Sequence, residues 1–211
     1  MGNRTPRLSR SLILPFALLA AAAPQALAQS SQISLTLGRV SADDRIVEGD
    51  ESGVAKLQSG LAWQANFASR IVGTPLVKLD WEVHFLASPL RDVQSGIPSL
   101  TRDFASIYLT PGLKLQFLPG GPFRPFVAAG AGLAIYEHSS ETIGGSANPV
   151  DRIKNRGVIQ YGGGVDIPVM PRVGVRFEVR DFYSGNPSFN GSVVSSKQHN
   201  VVVGGGLYLK F

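Results

Sequence analysis

The stretch Val77-Lys78-Leu79-Asp80-Trp81-Glu82-Val83-His84-Phe85 restricts the possible folds more than any other part of the chain. Its odd positions are apolar and its even positions are all ionisable. A strand sends successive side chains to opposite faces, so this period of two specifies a strand between two different environments. Alternation of this kind recurs in eight segments, at about 31–40, 59–70, 76–87, 104–117, 123–136, 157–168, 173–183 and 199–211. Helical periodicity is poor, and no run of 18 apolar residues after residue 28 offers a transmembrane helix. Each segment is near or above the roughly 9–11 residues that a tilted strand needs to cross a bilayer.

The connections sort by length. Residues 41–58, 88–103, 137–156 and 184–198 are long, polar and rich in Gly, Ser, Asp and Asn. Residues 71–75, 118–122 and 169–172 are short, punctuated by Gly73-Thr74-Pro75, Pro119-Gly120-Gly121-Pro122 and Pro171. Long loops at one end and short turns at the other are the layout of an outer-membrane barrel, and an even strand number puts both termini at the short-turn, periplasmic end.

Two structures can use such two-faced strands. A soluble barrel turns its apolar face inward, whereas a membrane barrel turns it to lipid and fills its lumen with the polar face. Glycine decides between them. Gly112, Gly130, Gly132, Gly162, Gly164, Gly204 and Gly206 lie on the faces that carry the charges. A solvated face has no need of such rows, but an eight-stranded barrel is only just wide enough for its inward side chains. The expected fold is therefore all-β, an eight-stranded antiparallel up-and-down transmembrane β-barrel.

This parity turns Lys78, Lys114, Arg124, Arg176, Arg180 and Lys210 inward, against Asp80, Glu82, Asp166 and Glu178, with His84 at the end of one row. The third and seventh strands face each other across such a barrel. Asp80 and Glu82 are thus expected to pair with Arg176 and Arg180, and Glu178 with Lys78, Lys114 or Lys210, because buried charges persist only when paired. The network would plug the lumen; the alternative is a narrow porin-like channel for small solutes. Trp63, Phe67, Trp81, Phe117 and Phe177 fall on the lipid face. Phe67, Phe117 and Phe211 are expected at one level near the periplasmic strand ends, as an interfacial aromatic girdle.

Residues 1–28 have Arg4, Arg7 and Arg10, an apolar run from Leu12 to Ala23, and Ala26-Leu27-Ala28. That order specifies a cleaved secretory signal peptide, with the barrel domain spanning 29–211. The formal charge of +5 mostly belongs to this segment: without it 17 Lys and Arg face 15 Asp and Glu. Nucleic acid is therefore not an expected partner. With no cysteine and three histidines, thiolate chemistry is excluded and neither a metal nor a cofactor is expected. The acidic loop with Asp43, Asp44, Glu48, Asp50 and Glu51 does not have the calcium-loop spacing, and reads as a solvated loop.

Residues 30–211 resemble the small eight-stranded outer-membrane barrels, the OmpA-type barrel domain and its OmpX- and OmpW-like relatives. The ending from Val201 to Phe211, with apolar residues at alternate positions and a terminal Phe, carries the resemblance most specifically. The resemblance implies that Leu207, Leu209 and Phe211 form the signal read by the barrel assembly machinery. It also implies an outer-membrane location beside lipid and lipopolysaccharide, with any extracellular ligand meeting the long loops. Such relatives include structural proteins, adhesins, channels and lipid-modifying enzymes. His138-Ser139-Ser140-Glu141 is similar to the His-x-Ser order of lipid A deacylases, but Glu141 stands where that family has Asn. The expected role is structural or surface-interacting and not catalytic, with a lipid-modifying enzyme as a further alternative.

Overall fold

The computed structural model describes residues 31–48, 53–149, 151–185, 192–193 and 197–211. The signal segment 1–28, Asp50 and Glu51, and much of the 184–198 connection lie outside them. The described strands are β1 (Ser31–Ala42), β2 (Arg45–Glu48), β3 (Gly53–Leu57), β4 (Gly60–Gly73), β5 (Val77–Gln94), β6 (Asp103–Phe117), β7 (Arg124–His138), β8 (Ile153–Pro168), β9 (Val173–Gly185), β10 (Ser192–Val193) and β11 (Lys197–Lys210). Eight of them close a ring in the order β1-β4-β5-β6-β7-β8-β9-β11, every neighbour antiparallel. Pairing of β1 with β11 closes it, from Gln32↔Lys210 to Ala42↔Asn200. Ser31 and Phe211 exchange backbone hydrogen bonds of 2.9 and 3.0 Å at the seam.

Several strands run further than the alternation indicates. β4 continues to Gly73 across an irregularity between Arg70 and Val72. β5 continues to Gln94 through a bulge between Ser88 and Arg91, where Pro89 sits without a ladder position, the kind of site where a strand tolerates proline. The connection 41–58 is no featureless loop: β2 and β3 pair with each other, and Leu57 pairs with Val93 of the extended β5. β10 adds to β2, so a small sheet rises above the long-loop end of the barrel.

The outer wall is apolar. Leu35 is 60% exposed, Trp63 53% and Phe177 52%, and Ile33, Leu37, Leu113, Val127, Leu133, Ile159, Val203, Leu207 and Leu209 are exposed beside them. Patches on a soluble monomer rarely exceed a few hundred Å². A belt running around the barrel suits hydrocarbon, and no described helix could cross a membrane in its place. Phe117 and Phe211 sit at the short-turn rim as expected, but Phe67 does not. Because β4 runs on to Gly73, Phe67 pairs with Val83 higher on the wall and packs on Trp81, with ring centroids 5.2 Å apart.

The strands approach so closely that a Cβ on Gly132 would strike the Leu109 carbonyl, and one on Gly206 the Leu35 carbonyl. These inward glycines let neighbouring backbones coil tightly around a narrow lumen. The lumen is not polar along its whole length. Toward the long loops, inward Leu86, Phe104, Tyr108, Ala134, Tyr136, Phe182 and Val202 form one buried cluster with Val47, Ala55, Leu57, Ile97 and Leu100 of the overlying segments.

Trp63 and Trp81 are the two tryptophans of the chain, and both face outward. Brominated acyl chains should therefore quench most of the tryptophan fluorescence of the vesicle-inserted protein, whereas aqueous iodide should quench little.

Candidate functional site

The lumen holds the ionisable residues that sequence parity turns inward, and its geometry is built in layers. Nearest the short turns, Asp166 of β8 is a hub. It accepts from Arg176 Nε at 2.7 Å, Arg176 Nη2 at 2.9 Å, Lys114 Nζ at 3.0 Å, Gln116 Nε2 at 2.9 Å and Gln32 Nε2 at 3.2 Å. Donors from β1, β6 and β9 thus meet on one carboxylate. Arg176 also donates to Ser34 Oγ at 2.8 Å. The Phe126 ring lies against both cations, 4.3 Å from Lys114 Nζ and 4.7 Å from the Arg176 guanidinium carbon.

The next layer is a closed hydrogen-bond ring. Arg180 donates to Glu82 at 2.7 Å across the lumen, and to Glu178 two residues away on its own strand at 2.9 Å. Thr36 Oγ1 donates to Glu178 at 2.9 Å and accepts from Gln64 Nε2 at 3.0 Å. Asn66 Nδ2 donates to Glu82 at 2.8 Å. His84 closes the ring, with Nε2 3.1 Å from Gln64 Oε1 and Nδ1 3.5 Å from Asn66 Nδ2. Since the Gln64 amide nitrogen is committed to Thr36, its oxygen must accept, which assigns the His84 proton to Nε2. With both ring nitrogens engaged, His84 is a structural member of the lumen.

The pairings differ in part from those expected. Glu82 does pair with Arg180, but Asp80 pairs with Lys78 at 2.7 Å, Arg176 with Asp166, and Glu178 with Arg180. The reason is height. A tilted barrel brings together residues on adjacent or opposite strands according to register, which parity alone does not contain. Arg124 and Lys210 stand apart from the network at the short-turn mouth, where Arg124 Nε donates to the Gly121 carbonyl at 3.0 Å and Lys210 lies over the Tyr208 ring.

Above the ionic layers the lumen is filled by aromatic side chains, which carry no charge to mark them in the sequence. Tyr108, Tyr136 and Phe182 share the inward parity of Lys114, His138 and Arg180, so the signal was present in the same alternation. The Tyr108 and Tyr136 hydroxyls lie 3.1 Å apart, and Tyr136 bonds Ser184 Oγ at 2.6 Å. Above them Arg91 of the bulged β5 donates to Asn200 Oδ1 at 2.9 Å and lies 5.2 Å from the Phe104 ring.

The candidate catalytic stretch does not assemble. His138 is buried facing inward, while Ser140 and Glu141 are exposed beyond the strand end, and Glu141 pairs with Arg102 at 2.6 Å. Ser140 therefore does not share the inward direction of His138. Asp43 and Asp44 are exposed, and the described residues hold no cluster with metal-ligand geometry. Leu207, Leu209 and Phe211 line the outer wall along the closing strand.

This architecture is that of the small eight-stranded outer-membrane barrels. Neisserial surface protein A superposes with a TM-score of 0.53 at 15% identity, over 86% of this chain and 97% of that one. The outer membrane protein OprG from Pseudomonas aeruginosa superposes with a TM-score of 0.52 at 16% identity, over 87% of this chain and 96% of that one. No family model and no curated protein matches the sequence.

Replacing Asp166 with Ala leaves two buried cations without their carboxylate, a change that costs about 3–5 kcal/mol for buried pairs. Glu137→Ala removes the exposed partner of Arg152 and should cost no more than about 1 kcal/mol. Urea unfolding of the two variants in lipid vesicles measures the difference.

Proposed function

We propose that the protein is a closed outer-membrane barrel with a structural or surface-interaction role, and neither a solute channel nor an enzyme. The observation that carries this reading is double occlusion of the lumen. Lys114, Arg176 and Arg180 are fully buried in the ionic layers, and Tyr108, Tyr136 and Phe182 are fully buried above them. A water-filled path along the axis would leave its lining side chains accessible. Two chemically different plugs in series make closure independent of any one ion pair.

In this reading the short turns and both barrel termini face the periplasm, and the sheet of β2, β3 and β10 faces outward with the long connections. Packing of Val47, Ala55 and Leu57 on Val93, Ile97 and Leu100 makes that outward end a built surface able to present loops to a partner. The apolar belt supports a place among lipid and lipopolysaccharide. Leu207, Leu209 and Phe211 lie together on the outer wall of the closing strand, where an assembly factor pairing with that strand could read them.

Planar-bilayer recording tests the reading. The purified protein should be silent, and Glu82→Ala should stay silent because the aromatic layer remains. A steady unitary conductance from the unaltered protein would replace this reading with that of a channel.

A further inference from the structure

The short-turn mouth contains a cavity of about 50 Å³ lined by Gln32, Arg70, Lys78, Gln116, Pro119 and Lys210. A single water needs about 10–15 Å³ of such space, so the cavity has room for about three to five waters or a small oxyanion. The charged side chains that line it, Arg70, Lys78 and Lys210, are all cations. Of the three cations, Lys78 has Asp80 as partner, whereas Arg70 and Lys210 have no ion pair among the described residues. Asp166 lies nearby, but its oxygens already serve Arg176, Lys114 and both glutamine amides.

The glutamines add a second, independent constraint. Gln32 and Gln116 are almost wholly buried, and both amide nitrogens donate to Asp166. A carboxylate only accepts here, so neither amide can be flipped. The carbonyl oxygens Gln32 Oε1 and Gln116 Oε1 are left buried without a partner. A buried acceptor without a donor costs about 1–3 kcal/mol, and a ligand in this cavity that offers protons as well as negative charge would satisfy the glutamine oxygens and the cations together.

We infer that this cavity is a binding site for hydrogen phosphate, free or as the terminal group of a small monoester. Lys210 and Arg70 meet its anionic oxygens, and a P–OH donates to a glutamine carbonyl. Sulfate has the same size and shape but carries no proton at neutral pH, so it leaves the glutamine oxygens unmet and faces them with its own lone pairs. The preference for phosphate over sulfate is thus the signature of this site and not of a basic surface in general. The site stands on the barrel mouth alone and does not depend on whether the lumen conducts.

Isothermal titration of the refolded full chain in detergent micelles at pH 7, with sodium phosphate and sodium sulfate at matched ionic strength, tests the assignment. Phosphate should bind saturably at one site, and sulfate at least tenfold more weakly. Arg70→Gln and Lys210→Met should each weaken phosphate at least tenfold while keeping heat-modifiable gel migration. Arg70 is exposed, so its variant carries the test if Lys210→Met does not fold. Glycerol 3-phosphate binding more tightly than phosphate identifies a monoester as the occupant, and binding more weakly identifies the free ion. Absence of saturable phosphate binding, equal binding of sulfate, or phosphate binding undiminished in the folded variants overturns the site.

Discussion

Hydrocarbon offers no hydrogen-bond partner to a backbone, and this constraint organises the whole molecule. Strands that cross it must satisfy every N–H and C=O against each other, which requires a sheet without edges. Pairing of β1 with β11 removes the last two edges. Once eight strands close, the radius follows, and with it the volume that inward side chains must fill. The inward glycines, the close passage of the Gly132 and Gly206 backbones against their neighbours and the two-faced composition of each strand all answer to that closure.

Closure also decides how charge is tolerated. Arg176 and Arg180 have no exposure, so each needs a carboxylate and further hydrogen bonds. Asp166 supplies the first by gathering donors from three other strands, and the Glu82–Arg180–Glu178 arrangement supplies the second. Several of these contacts, Asp166 with Gln32 and Arg180 with Glu82 among them, join parts of the chain far apart in sequence. They therefore act as internal struts across a sheet whose outer face is held only by lipid. The aromatic layer fills the other half of the lumen by packing, and leaves the long-loop end continuous with the small sheet above it.

Much of this could be read from the residues. Parity assigned nearly every lumen and lipid position, because a strand in a closed barrel has no third environment to enter. Strand ends were less legible. Pro89 looks like a stop, yet a bulge lets β5 pass it, and Phe67 left the expected rim because β4 continues through an irregularity to Gly73. The connection 41–58 contains few apolar residues, and only their packing on Val93, Ile97 and Leu100 shows why β2 and β3 form. Lumen aromatics such as Tyr108 and Phe182 were visible by parity but not distinctive, since aromatic side chains suit lipid as well as a plug.

The sequence by itself determined that this chain makes a two-faced, eight-stranded sheet with an apolar exterior and a crowded interior. It could do so because alternation with period two is local, written residue by residue along each strand. Only the tertiary structure decided which charges meet, where the lumen changes from ionic to aromatic, and how Lys210 comes beside Arg70 around a cavity. Those outcomes depend on register and on the tilt that closure imposes. Register relates residues on different strands by height, a quantity that no single strand carries.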